Sequence, residues 1–264
     1  MDNIWCWEQS LIMFLSFSFA ASAIYCLNDI IDVEDDRKHP VKRNRPIAKG
    51  DVSIIQAYIV SGILCCLSLA FPLLAGGDKH LYLIGIIAVY IVMNISYSLK
   101  LKQFGIIDVM IIAIGFVLRI VCGGVACDIP LSPWIVSLAF LLTLLLAFAK
   151  RRDDVVILNE QGVQMRKNVK AYNLAYLDLV LGMLTAVILV CYIMYTVSPD
   201  VIARTGSNYV YLSSIFVMGG LLRYLQLTIV VKKSGDPTDV FLHDGFLQVM
   251  ILLWVLTFIF FLYL

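Results

Sequence analysis

The chain has 264 residues, of which 61% are hydrophobic and only 15% charged, with a mean hydropathy of +0.90. That composition excludes an ordinary soluble domain and marks an integral membrane protein. The net charge of +1 reflects charges of both signs gathered into a few connectors rather than a basic surface, so nucleic acid is not an expected partner and the bilayer is.

At about 20 residues per crossing, apolar segments fall near 11–27, 53–75, 81–98, 106–126, 132–149, 171–197, 209–230 and 244–264. The expected fold is an all-α multi-span bundle of about eight transmembrane helices forming a single domain over residues 1–264. The first segment is preceded by Asp2 and Glu8 and by no Lys or Arg, so it reads as a retained helix rather than a signal peptide, although Ala21-Ser22-Ala23 resembles a cleavage site.

Alternate connectors collect the cations. Residues 28–52 hold six Lys and Arg, 99–105 two, 150–170 six and 231–243 two, which is sixteen of twenty. The positive-inside asymmetry puts these connectors in the cytoplasm and both termini outside it. The acidic residues gather on the same side although they contribute little to topology, so the cytoplasmic face is expected to carry the site. A charged stretch after the first span and another after the fifth form a loose internal echo, consistent with two four-helix halves.

The first of these stretches is NDIIDVEDDRKHPVKRNRP, residues 28–46. If it stays helical, Asn28, Asp32 and Asp36 at i, i+4 and i+8 share a face and align one amide and two carboxylates. Oxygen donors of that kind suit Mg²⁺. Lys42, Arg43 and Arg45, closed by Pro46, follow where cations would grip phosphate oxygens. The bland alternative is a solvated helix end that marks the membrane boundary.

The second stretch, KRRDDVVILNEQGVQMRK (150–167), reads as a loop supplying Lys150, Arg151, Arg152, Asp153, Asp154, Glu160, Arg166 and Lys167, more cations than a second metal site needs and therefore suited to a second phosphate. Arg119 and Arg223 lie inside apolar spans, where an unpaired charge costs about 2.5 to 3.5 kcal/mol. Arg119, followed by Gly123 and Gly124, is expected to line a cavity. For Arg223 an ion pair with Asp108 or Asp178 weighs equally with a cavity role. The seven cysteines lie almost entirely in apolar runs without a CxxC pair, and the three histidines are far apart, so the thiols are expected to be packing residues in a reducing setting rather than disulfides or zinc ligands. Nucleotide-loop, zinc-protease and serine-hydrolase motifs are missing from the sequence.

The NDxxDxxxD run at Asn28, Asp29, Asp32 and Asp36 resembles the first signature of the UbiA superfamily of intramembrane prenyltransferases. YSLKLKQFGIIDV (97–109), GFVLRIVCGG (115–124), IPLSPW (129–134), KRRDD (150–154), RKN (166–168), LLRY (221–224) and GDPTDVFLHD (235–244) narrow the likeness to the decaprenyl-phosphate phosphoribosyltransferase branch. The resemblance implies a UbiA-type bundle in a bacterial inner membrane, open to the cytoplasm, that moves 5-phosphoribose from phosphoribosyl pyrophosphate to a polyprenyl phosphate with Mg²⁺. It implies catalytic and metal roles for Asn28, Asp32 and Asp36, and substrate contacts from Asp29, Lys42, Arg43, Arg45, Tyr97, Lys100, Arg119, Lys150, Arg151, Asp154, Arg166 and Lys167. The family's first helix is expected to have no counterpart here, and a homo-oligomer is left open. The second DxxxD of prenyl-transferring relatives is missing, since Ile157 and Leu158 stand four places after Asp153 and Asp154. Prenyl transfer to an aromatic or other acceptor is the alternative activity, and a charged transporter or scaffold the non-enzymatic one.

Overall fold

A computed structural model describes residues 4–38, 42–75, 78–161, 167–231 and 237–263. The regular structure among them is entirely helical. This follows from the solvent, because in hydrocarbon every backbone N–H and C=O must be satisfied within the chain. Among the described residues, eight helical segments are long and apolar enough to cross a membrane, Ile4–Ile31, Ile54–Leu74, His80–Leu99, Ile107–Ala126, Pro133–Glu160, Leu174–Thr196, Val210–Val231 and Gly245–Leu262. Each overlaps one of the eight apolar segments of the sequence, and the first and fifth extend well beyond theirs. The chain divides into two compact units, Met1–Leu131 and Ser132–Leu264, each with four of these segments.

Unit 1 contains α1 (Ile4–Ile31), α2 (Val33–Lys38), α3 (Pro46–Lys49), α4 (Ile54–Ala70), α5 (His80–Leu99) and α6 (Ile107–Ala126). The short α3 has Pro at its first position and ends at Gly50, whose φ of 91° only glycine adopts without strain. α4 opens with a reciprocal capping box between Ser53 and Gln56. Between α1 and α4 the side chains are small, with Ala20 and Ala57 buried. Ser16 Oγ donates to the Ser68 carbonyl, and Ser61 Oγ donates to the Ala23 carbonyl at 2.9 Å. Small residues and hydroxyls are what membrane helices use to approach closely, because hydrophobicity alone does not draw them together in lipid. Larger residues fill the rest of the core, where Phe17 of α1 meets Tyr90 of α5 edge to face at 5.2 Å.

Unit 2 contains α7 (Pro133–Gln161), α8 (Leu174–Thr196), α9 (Pro199–Thr205), α10 (Ser214–Gln226), α11 (Pro237–His243) and α12 (Gly245–Tyr263), with α10 running into a π-turn at Leu227–Val231. Gly219 lets α10 approach α12, since a Cβ there would lie 2.9 Å from Met250 Sδ. The Trp254 indole N–H donates to Tyr192 Oη at 2.7 Å, and Tyr192 Oη lies 2.6 Å from Ser213 Oγ. α7 corrects the expected boundary. The fifth span was to end near 149 and give way to a loop, but the helix continues through KRRDD to Gln161. Neither Gly nor Pro interrupts residues 150–161, so loss of apolar character there does not end the helix.

Ala20 is fully buried where α1 meets α4. Ala20→Leu should therefore overpack this seam and lower stability by about 1–3 kcal/mol, read as a drop in the unfolding midpoint of detergent-solubilised protein.

Candidate active site: a carboxylate helix end and its cations

In unit 1 the helical hydrogen-bond ladder passes from α1 into α2 despite the turn at Asp32. The Asp32 N–H donates to the Asn28 carbonyl at 2.9 Å and the Asp36 N–H to the Asp32 carbonyl at 2.8 Å. Asn28, Asp32 and Asp36 thus keep the expected row. Their oxygens, however, divide between two cations. Lys102 Nζ lies 2.5 Å from Asp32 Oδ1 and 3.2 Å from Asn28 Oδ1, while Arg45 Nη1 lies 2.6 Å from Asp29 Oδ1 and 2.9 Å from Asp36 Oδ2. Asp36 is only 3% exposed, and a carboxylate that buried needs a paired cation.

Local structure brings Arg45 there. After the 3₁₀ turn Lys42–Asn44, Pro46 starts α3, and Ile47 packs with Ile30 and Val33 in a small apolar cluster. Arg37 Nε adds a hydrogen bond to the Ala48 carbonyl at 3.3 Å. Of the other expected phosphate ligands in this unit, Arg43 and Lys100 are exposed, and Lys42 and Tyr97 are half-buried. Lys102 had not been singled out. It follows Lys100 by two residues in a 3₁₀ turn, Leu101–Gln103, and Ile106, at φ 65° in a region strained for a β-branched residue, redirects the chain into α6. Only that turn geometry distinguishes the two lysines.

Among the described residues no group of three His, Cys, Asp or Glu is poised to hold a metal ion. The donor chemistry nevertheless fits Mg²⁺. Asn28 and Asp32 present hard oxygens to one positive charge, with the Lys102 ammonium standing in for it, and Mg²⁺ commonly binds through one or two carboxylates while water and substrate phosphates complete its shell. Asp36, expected as a third ligand, is turned to Arg45 instead.

Arg119 lines a cavity of about 490 Å³ with Ser10, Met13, Phe14, Ser18 and Gly123 among its walls. Its Nη2 donates to Tyr90 Oη at 3.1 Å, and the guanidinium sits 4.9 Å from the Phe116 ring centroid and 5.6 Å from that of Tyr90. Phenol and ring faces, rather than Asp108 or Asp178, hold this charge. The cavity follows α1 from Ser10 to Tyr25, three residues before Asn28.

In unit 2 the expected loop cations Lys150, Arg151 and Arg152 are helical, and the two arginines are buried. Arg151 lies 3.6 Å from Asp154. Arg152 Nε donates to Asp178 Oδ1 at 2.6 Å, and its other nitrogens donate to the carbonyls of Thr228 and Ile229 at 2.7 and 3.4 Å. Those carbonyls belong to the π-turn, where the α-helical ladder is broken and oxygens are left to be satisfied. Lys150 is exposed. Arg166 and the opening Gly235-Asp236 of GDPTD lie outside the described residues, and Lys167 begins a 3₁₀ turn. Arg223 is ion-paired, but its partner is Asp244, at 2.7 Å, and not Asp108 or Asp178. Asp244 also accepts from the Leu247 N–H at 2.9 Å, capping α12, and Arg223 holds its carboxyl below the usual carboxylate range. A separate apolar cavity of about 820 Å³ lies among α7, α8, α10 and α12, lined by residues such as Leu142, Ile188, Val217 and Trp254.

The profile of the UbiA prenyltransferase family matches residues 4–248. The chain belongs to that family. Within it, the chain is 34% identical over 251 residues to the decaprenyl-phosphate phosphoribosyltransferase of Mycolicibacterium smegmatis, covering 92% of this chain and 77% of that one. It is 34% identical over 244 residues to the enzyme of the same name from Corynebacterium glutamicum, covering 92% and 73%. In fold it is similar to a UbiA homologue from Archaeoglobus fulgidus bound to DMAPP and Mg²⁺, with a TM-score of 0.70 and 17% identity over 98% of this chain and 88% of that chain. The UbiA fold is therefore shared across a wide sequence distance.

Arg152→Leu should strand Asp178 and two π-turn carbonyls and destabilise unit 2 by about 3 kcal/mol, and Arg152→Leu combined with Asp178→Leu should recover part of that loss in a double-mutant cycle of unfolding. For Asp244, a lowered folded pKa means that its stabilisation is complete above the ordinary value of 3.8 and is lost as pH falls through the depressed one. Asp244→Asn should flatten that part of the acid limb in pH-dependent unfolding.

Proposed function

We propose that this protein transfers 5-phosphoribose from phosphoribosyl pyrophosphate to a polyprenyl phosphate, releasing pyrophosphate. The observation that carries the reading is the one-third identity to decaprenyl-phosphate phosphoribosyltransferases across 92% of the chain. The carboxylate row with its cations and an apolar cavity of about 820 Å³, within the roughly 300–1,000 Å³ of small-molecule sites, support an anionic donor and a lipid acceptor.

Asn28 and Asp32 would hold Mg²⁺, which when bound neutralises a diphosphate leaving group. Lys102, released from these oxygens, would bind a diphosphate oxygen in its place. Arg45 keeps Asp29 and Asp36 paired and so fixes the helix end against which the substrate lies. The lipid phosphate is already an anion at neutral pH, so attack at the ribose C1 needs no general base. Departure ahead of attack gives the sugar oxocarbenium-like character, which surrounding carboxylates tolerate. Lys42, Arg43, Lys100, Lys150 and Arg151 are the further cations we assign to phosphate groups, with Tyr97 and Asp154 as their neighbours. Arg119 is assigned to substrate from within the membrane. A bacterial inner membrane with the carboxylate end facing the cytoplasm is the setting this reading requires.

Purified protein given phosphoribosyl pyrophosphate labelled in the ribose, polyprenyl phosphate and Mg²⁺ should yield label in the organic-extractable lipid. Chelation should stop it. Asp32→Asn should lower turnover at least about tenfold while leaving the unfolding midpoint close to wild type, because Asp32 is only half-buried. Lipid left unlabelled, with transfer from a prenyl diphosphate instead, would replace this reading by prenyl transfer.

A further inference from the structure

At the end of unit 1 opposite its carboxylates, the thiol of one cysteine meets the backbone of another across 121 positions of sequence. Cys127 caps the C-terminus of α6. Its Sγ donates to the backbone carbonyl of Cys6, in the first turn of α1, at 3.5 Å. Ser10 Oγ, one turn further along α1, lies 3.2 Å from Cys127 Sγ. Both cysteines are partly exposed, whereas Cys122, deeper in α6, is buried.

Two further features make this pair accessible to chemistry. Trp7, 74% exposed beside Cys6, and the Lys79–Asp128 ion pair next to Cys127 are the aromatic and charged residues of a membrane–water boundary, within reach of water-borne reagents. The connectors at this end are the ones poor in Lys and Arg, so the charge asymmetry places it outside the cytoplasm, in a compartment where disulfides persist.

We propose that Cys6 and Cys127 are an oxidisable pair that takes a disulfide-type oxidant and staples the start of α1 to the end of α6. One cysteine thiolate attacks a sulfur of the donor disulfide and expels one donor thiolate. The second cysteine thiolate then attacks the mixed disulfide and expels the other. The chain gives up two protons and two electrons, and the donor leaves as two thiols. Because Cys127 Sγ already lies 3.5 Å from the Cys6 carbonyl oxygen, the bond forms without moving either helix out of the bundle. It would close a loop around nearly all of unit 1, constraining its unfolded state. It would also fix the seam beside the Arg119 cavity, whose walls include Ser10 and Gly123.

The test is made on the full-length protein in detergent. Reduced protein is incubated with oxidised glutathione, alkylated and digested. The expected result is a linked peptide pair carrying Cys6 and Cys127, protection of these two from alkylation, and a rise in the unfolding midpoint that reductant reverses. Cys6→Ser and Cys127→Ser should each keep the reduced midpoint and abolish the rise. Full alkylation of both cysteines after oxidation overturns the proposal, as does a linkage formed by other cysteines such as Cys65 and Cys66, or the same rise in both serine variants. If a serine variant does not fold, peptide mapping of the wild-type protein decides alone.

Discussion

Carboxylates at the end of a membrane helix need positive charge close by, and this requirement organises the charged end of unit 1. Asp36 is nearly inaccessible and Asp29 is half-buried, so neither is stable as an isolated anion in such surroundings. Arg45 serves both at once, and to reach them the chain must fold back after α2 and seat α3 against the helix end. The apolar contact of Ile47 with Ile30 and Val33 and the ion pairs therefore depend on each other. Removing the arginine would leave two carboxylates without the cation that pairs with both, whereas removing Ile47 would loosen the turn that delivers it.

The other half of the same row works differently. Asn28 and Asp32 are bridged by a lysine, which is a compact point charge on a flexible stem rather than a planar fork. An ammonium is readily exchanged for a metal ion and a phosphate oxygen, whereas Arg45 holds two carboxylates at once through a single nitrogen, Nη1. A fixed pair beside an exchangeable one gives this helix end a rigid wall and a replaceable cation, and the proposed metal–diphosphate binding draws on that division. In unit 2, Arg152 and Arg223 are used structurally. Arg152 answers a carboxylate and the carbonyls left over by a π-turn, and Arg223 answers the carboxylate that caps α12.

Much of this was legible from the chain alone. Eight runs of apolar residues separated by charged connectors leave one solution in lipid, because each run must satisfy its own backbone as a helix. The i, i+4, i+8 spacing of Asn28, Asp32 and Asp36 survived because nothing between them breaks a helix, and the family resemblance followed from the same residues. Apolarity was a poor guide to where α7 ends, since a helix stops at a breaker or a cap and not where it turns polar. That is why Lys150 to Asp154, expected on a loop, stand on a helix.

Partner choice was decided by the tertiary structure. Sequence distance carries no information on whether Arg223 meets Asp178 or Asp244, whether Lys100 or Lys102 reaches Asp32, or that Cys6 lies against Cys127, because each of these pairings depends on how helices rotate about their axes and how connectors turn. Residue types and helical period set which side chains share a face of one helix. Which face meets which neighbour is determined by the packing of small residues such as Ala20 and Gly219, and that packing exists only once the helices have assembled.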